Sequence, residues 1–143
     1  MPTSSNHALR PIKSALRDAG FMVYRTENDS VVIAERVREN LILDSGVRVG
    51  GEPLRVAFEA SAQLSHHPGL DRESLFSKAR QLGEAARDRG YAEVNTDLRD
   101  LPDPNDPERV LDQQAVVVFA REVTDLDAAM ADVAFALGLD RHV

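Results

Sequence analysis

The chain has 143 residues, 43% of them hydrophobic, with no cysteine, no tryptophan and a formal net charge of −7. Composition therefore excludes disulfides, thiolate nucleophiles and cysteine-ligated zinc, and the acidic balance opposes direct binding to nucleic acid or an anionic membrane surface. The length suits one domain, and aromatics at 5% require a core of Val, Leu, Ile and Ala.

The opening Met1-Pro-Thr-Ser-Ser-Asn-His7 lacks the basic start and apolar stretch of a signal peptide. No apolar run nears the roughly 20 residues of a membrane helix, so the expectation is a soluble, cytoplasmic protein. Leu9, Ile12, Leu16 and Ala19 then recur on one helical face, predicting a helix from about Leu9 to Ala19. Pro11 is placed in its first turn and Gly20 at its stop. Phe21 to Thr26 reads as a strand, followed by a turn at Glu27-Asn28-Asp29-Ser30.

A second strand is predicted from Val31 as far as Asp44. Val31, Ile33, Val37, Leu41 and Leu43 lie on its odd face, interrupted by Glu35 and Glu39, so part of it should face solvent or a neighbour. Asp44 to Pro53, with three glycines, reads as a long hairpin connection. A third strand alternates Leu54, Val56, Phe58, Ala60 and Ala62 against Arg55, Ala57, Glu59 and Ser61. Leu64 to Leu70, holding His66 and His67, reads as a loop.

Asp71 is the expected N-cap of a second helix closing at Gly90, with Leu75, Ala79, Leu82 and Ala86 as its stripe. A strand at about Ala92 to Leu98 follows. Asp100 to Glu108 holds three prolines and reads as a loop. The run from Gln114 to Val123 predicts a central strand covered on both faces. Thr124 is the expected cap of a last helix with the stripe Leu126, Met130, Val133 and Leu137, ended by Gly138. The fold class that results is α+β: a single domain in the order helix, three strands, helix, two strands, helix, with an antiparallel sheet packed against the helices.

Chemistry-bearing residues are sparse. His66-His67 is read as loop surface, since adjacent residues on an extended chain point apart and only His7 and His142 remain as further histidines. The oxygen-rich Asp103 to Glu108 lacks the glycine of a calcium loop and is stiffened by proline. Gly46 and Gly50-Gly51 precede a strand and not a helix, which disqualifies them as a phosphate cradle. Ser61 and Ser65 lie near the histidine pair without an elbow motif. Glu35, Glu39 and Glu59 are read as outward strand charges and not as an acid–base pair. Arg36, Arg38, Arg48 and Arg55 form the best basic strip, but glutamates interleave them and no stacking aromatics accompany them. The expectation is no catalytic residue, no metal and no cofactor.

Two apolar features exceed what a core stripe needs. Phe76, Ala79 and Gly83 make a second line on the helix after Asp71, one large residue beside two small ones, and Val37 and Leu41 continue an apolar face past the charged half of the second strand. These five are the candidate surface for a homodimer or a protein partner. Ala128, Ala131 and Phe135 widen the last helix in the same way.

The element order, the opening Leu9-x-x-Ile12-x-x-x-Leu16-x-x-x-Gly20-Phe21 and the closing strand and capped helix from Val116 to Leu137 resemble the YbjN-like proteins, which are similar in fold to the type III secretion chaperones. That resemblance implies a homodimer binding segments of other proteins without cofactor or turnover. It carries over no functional residue, and the Asp100 to Glu108 segment is a departure from it. The reading is thus a non-enzymatic, chaperone-like adaptor whose charge favours a basic partner, of the DNA-handling or stress-response kind. The alternatives are a small-molecule sensor or enzyme with a pocket between sheet and helices, and direct nucleic-acid binding through the arginine strip.

Overall fold

Leu9, Ile12 and Leu16 recur at three- and four-residue spacing, and all three are buried on one side of helix α1, Thr3–Asp18. The computed structural model describes residues 3–143, with side chains from residue 9 onward. Because α1 begins well before Leu9, Pro11 lies inside the helix and not in its first turn, and there its ring is exposed. Ala19, expected on the buried face, is exposed. Gly20 at φ +90° ends the helix. Phe21 N–H donates to Leu16 O at 2.8 Å and Gly20 N–H to Arg17 O at 3.0 Å, the bond pair that a left-handed residue permits after a last turn.

Four strands, and not three, follow: β1 Val23–Glu27, β2 Ser30–Arg38, β3 Leu41–Gly50 and β4 Arg55–Gln63. The long second strand of the sequence reading is broken at Glu39-Asn40, where the chain turns back on itself and pairs antiparallel, Glu35 with Leu43, Arg36 with Ile42 and Arg38 with Leu41. Asn is at home in such a turn, and the apolar periodicity on either side continues through it, which hid the break. The glycine-rich Asp44 to Gly50 is strand and not connection. Gly50 is required there because a Cβ would run into the Asp29 carbonyl and Ser30 across the ladder.

Val31, Val49 and Val56 face one another across β2, β3 and β4, and Val47 faces Phe58. All are buried; α1 contacts β2 and β3, and helix α4, Leu126–Leu137, contacts β3. The buried side of α4 is Ala129, Asp132, Val133 and Ala136, offset from the predicted stripe of Leu126, Met130, Val133 and Leu137. Small residues let the helix approach the sheet closely, so the larger side chains are pushed to its flanks. Its cap is Asp125, one residue later than expected, with Oδ1 accepting from Ala128 N–H at 2.8 Å.

Asp71 caps helix α2, Arg72–Leu82, as expected, accepting from Ser74 N–H at 2.8 Å. Gly83 then interrupts the predicted helix, and a separate turn α3, Glu84–Arg87, continues. Strands β5, Ala92–Asp103, and β6, Asp106–Glu122, form a hairpin turning at Pro104-Asn105. The proline segment read as loop is strand on both sides. Proline tolerates strand ends and unpaired edge positions, where its missing N–H faces no partner, and the sheet order places β5 at an edge.

The antiparallel sheet has the order β1-β2-β3-β4-β6-β5. Two compact units can be distinguished, Met1–Phe58 with Ala120–Gly138 and Glu59–Phe119 with Leu139–Val143. The first holds the valine rows just described. The second buries Ala60, Ala62, Leu75, Phe76, Ala79, Ala86, Tyr91 and the Ala115 to Phe119 stretch of β6, apart from half-buried Val118. In that unit the segment Arg141–Val143 runs beside β4. Ser61 N–H donates to Arg141 O at 2.7 Å, Gln63 N–H to Val143 O at 3.1 Å and Val143 N–H to Ser61 O at 2.9 Å.

Candidate functional site

The residues proposed for an interface divide into two groups of opposite character. Phe76, Ala79 and Gly83 are buried, Phe76 at 8% exposure and Ala79 completely. A Cβ at Gly83 would run into the Phe119 ring of β6, so the small residue serves close packing within its own unit. The guanidiniums of Arg72 and Arg80 each lie 5.9 Å from the Phe76 centroid, and that of Arg87 lies 5.8 Å from Phe119. On α4, Ala131 is exposed, whereas Ala128 and Phe135 are half-buried.

Val37 and Leu41 remain on the surface, at 53% and 41% exposure, and the turn at Glu39-Asn40 brings them to one hairpin end. Ile42 at 39% and Leu43 at 44% complete the patch; Ile42 was missed because a single long strand would have turned it away from its neighbours. Cross-strand pairing puts Leu41 and Leu43 on one face and Ile42 on the other, so the ribbon end is apolar on both sides. Glu35, Arg36, Arg38 and Glu39 stud the same stretch, whose formal charge is zero. Arg36 Nη1 donates to Glu39 O at 2.9 Å across the turn.

Of the arginine strip, Arg48 is taken up by ion pairs and Arg36 bonds a backbone carbonyl. On the face of the sheet carrying Val32, Arg25 and Arg48 alternate with Glu27 and Asp44 in a closed ring. Arg25 Nη2 lies 2.7 Å from Glu27 and 3.2 Å from Asp44, whereas Arg48 lies 3.0 Å from Glu27 and 3.4 Å from Asp44. Asp44 Oδ1 also accepts Gly46 N–H at 2.7 Å. Hydrogen bonds from Arg48 and Arg25 push the Glu27 carboxyl down to about 2. Val32, paired in register with both Arg25 and Arg48, is fully buried between them, so the aliphatic stems of the ring cover a core residue.

Glu59 meets Arg99 in two parallel bonds of 3.2 and 3.0 Å, a strand-surface ion pair. Asp103 Oδ1 accepts Asn105 N–H at 2.9 Å and Asp106 Oδ1 accepts Glu108 N–H at 3.3 Å, so the oxygen-rich segment spends its carboxylates on closing a hairpin. Among the described residues no group of three or more His, Asp and Glu side chains is placed to hold a metal ion. The His7 side chain lies outside them. No described helix is long and apolar enough to cross a membrane.

Ser61 does meet a histidine, but His142 and not His66 or His67. Its Oγ lies 2.5 Å from His142 Nδ1 and accepts from Gln114 Nε2 at 3.2 Å. A cavity of about 340 Å³ lined by Ser61, Gln63, His66, Gln114, His142 and Val143 adjoins them. Asp112 fixes one wall, accepting from Gln63 Nε2 at 2.6 Å and Ser65 N–H at 2.9 Å, and these bonds push its carboxyl down to about 2. The Ser61 and Gln63 N–H groups bond Arg141 O and Val143 O.

Comparison of the chain with protein-family models, with curated proteins and with solved structures finds no match.

Proposed function

We propose that the chain is a non-enzymatic, chaperone-like adaptor that acts as a homodimer, with the end of the β2–β3 ribbon as its self-association surface. One observation carries this reading: Val37, Leu41, Ile42 and Leu43 are exposed together on both faces of a ribbon whose own charge is zero. Two copies of a chain at −7 repel each other, so contact is cheapest where the local charge cancels. The end carries both signs of charge, Arg36 and Arg38 beside Glu35 and Glu39, which suits a self-complementary contact about a two-fold axis.

The absence of turnover is part of the same proposal. It is supported by the engagement of the Ser61 and Gln63 backbone N–H groups with Arg141 O and Val143 O. Membership of a YbjN-like, secretion-chaperone-like fold is likewise a proposal. The antiparallel sheet and the closing pair of strands with a capped helix support it, and the fourth strand before α2 departs from it.

Sedimentation equilibrium of the wild type beside Leu41→Glu and a Val37→Lys, Ile42→Lys pair tests the dimer. The expected result is a dimeric wild type and variants that sediment as folded monomers. A monomeric wild type at high concentration, or variants that stay dimeric, would end this reading.

A further inference from the structure

The β5–β6 hairpin is a second exposed ribbon with a different character. From Asn95 to Leu111 no residue is buried, and Val94, Val110 and Leu111 are 60%, 48% and 55% exposed. The same stretch carries Asp97, Asp100, Asp103, Asp106 and Glu108 against Arg99 and Arg109, five acids less two bases, a net −3. Arg99 is committed to Glu59 and Asp97. The donors received by Asp100, Asp103 and Asp106 are neutral: Gln113 Nε2, Asn105 N–H and Glu108 N–H. Their charge is therefore not cancelled by an arginine.

β5 is also the last strand of the sheet order, twelve residues long. An edge strand offers alternate backbone N–H and C=O groups to an added strand. Apolar side chains beside such an edge add contact area that water does not reward. The charge decides which strand is added. A second copy would set aspartates against aspartates, which is the repulsion proteins use to keep edges apart. A basic strand meets attraction instead.

We propose that the β5–β6 ribbon docks an extended segment of a basic protein, adding it along β5 with apolar side chains on Val94, Val110 and Leu111 and lysine or arginine against the aspartates. This rests on the protein-binding reading and assigns the partner's chemistry, but it uses a different ribbon from the dimer surface. The two can fail separately.

The test is titration of the full chain with a fluorescent peptide of alternating lysine and valine, as long as β5, read by anisotropy. Lysine–serine and glutamate–valine peptides of the same length serve as comparisons. Binding of the lysine–valine peptide that weakens by roughly tenfold in Leu111→Ser, Val94→Ser, the loss of about one leucine-sized contact, is the expected result. Asp100→Asn with Asp106→Asn keeps the turn acceptors and should weaken binding several-fold while flattening its salt dependence. That variant decides the matter if the apolar pair does not fold. Equal binding of the lysine–serine peptide, binding of the glutamate–valine peptide, or affinity unchanged in the folded variants would overturn the proposal. So would a Leu111→Ser, Val94→Ser chain that changes its oligomeric state and not its peptide affinity, since a second copy would then be the occupant. Repeating the titration on the Leu41→Glu chain separates this surface from the dimer: peptide binding should be unchanged there.

Discussion

Glu27 and Asp112 hold the clearest single-residue consequences. Both carboxyls sit at about 2 in the folded chain, Glu27 through Arg48 and Arg25, Asp112 through Ser65 and Gln63. Folding therefore favours their ionised forms. The stability they contribute is complete above the unfolded-state values, 4.5 and 3.8, and is lost as pH falls through the window down to about 2. Urea midpoints measured from pH 6 to pH 2.5 should fall steeply below about pH 4.5 in the wild type, and less steeply in Glu27→Gln, Asp112→Asn. Identical slopes would show that neither carboxylate is held as described. Gly83 gives a second prediction. Gly83→Ala places a methyl group in the Phe119 ring, and overpacking of this kind costs about 1–3 kcal/mol in unfolding free energy. The same substitution at Gly69, where a Cβ meets nothing within 4 Å, removes no contact and tests only the backbone strain of its φ of +89°.

At the scale of the element, caps and turns separate what could be read in the sequence from what could not. The α1 stripe and the Asp71 cap were legible because each rests on local spacing. The α4 cap was misplaced by one residue because Thr124 and Asp125 both qualify on composition, and only the backbone decides which side chain reaches Ala128 N–H. Asp125→Ala should cost about 1 kcal/mol by thermal unfolding and Thr124→Ala a small fraction of that. The Glu39-Asn40 turn was hidden by apolar residues that alternate evenly on both sides of it. The prolines of Pro102 to Pro107 pointed to a loop, and what rescued the strand was position in the sheet, which no local signal carries. Of the candidate surface, Val37 and Leu41 are exposed and Phe76, Ala79 and Gly83 are buried. A helix line reads as spare until the ring that fills it, here Phe119, is known to arrive from β6.

For the molecule as a whole, one charge total bears with opposite sign on the two proposed associations. At −7, two copies repel, so raising ionic strength from low to physiological values should tighten the proposed dimer. Docking of a basic strand on the β5–β6 ribbon gains from the same field, so salt should weaken it. Sedimentation and anisotropy run across one salt series should therefore show curves of opposite slope. Parallel slopes would mean that one of the two surfaces has been assigned the wrong occupant.

The residues Arg141–Val143 lie along Ser61 and Gln63 in the place a neighbouring strand would occupy. They behave as a zip fastener sewn to the garment it closes. A protease cut or a bulky fusion that lifts this strip would strand the Ser61 and Gln63 amides, part His142 from the hydroxyl and open a fresh seam on β4. Clumping would follow without any change in the rest of the molecule.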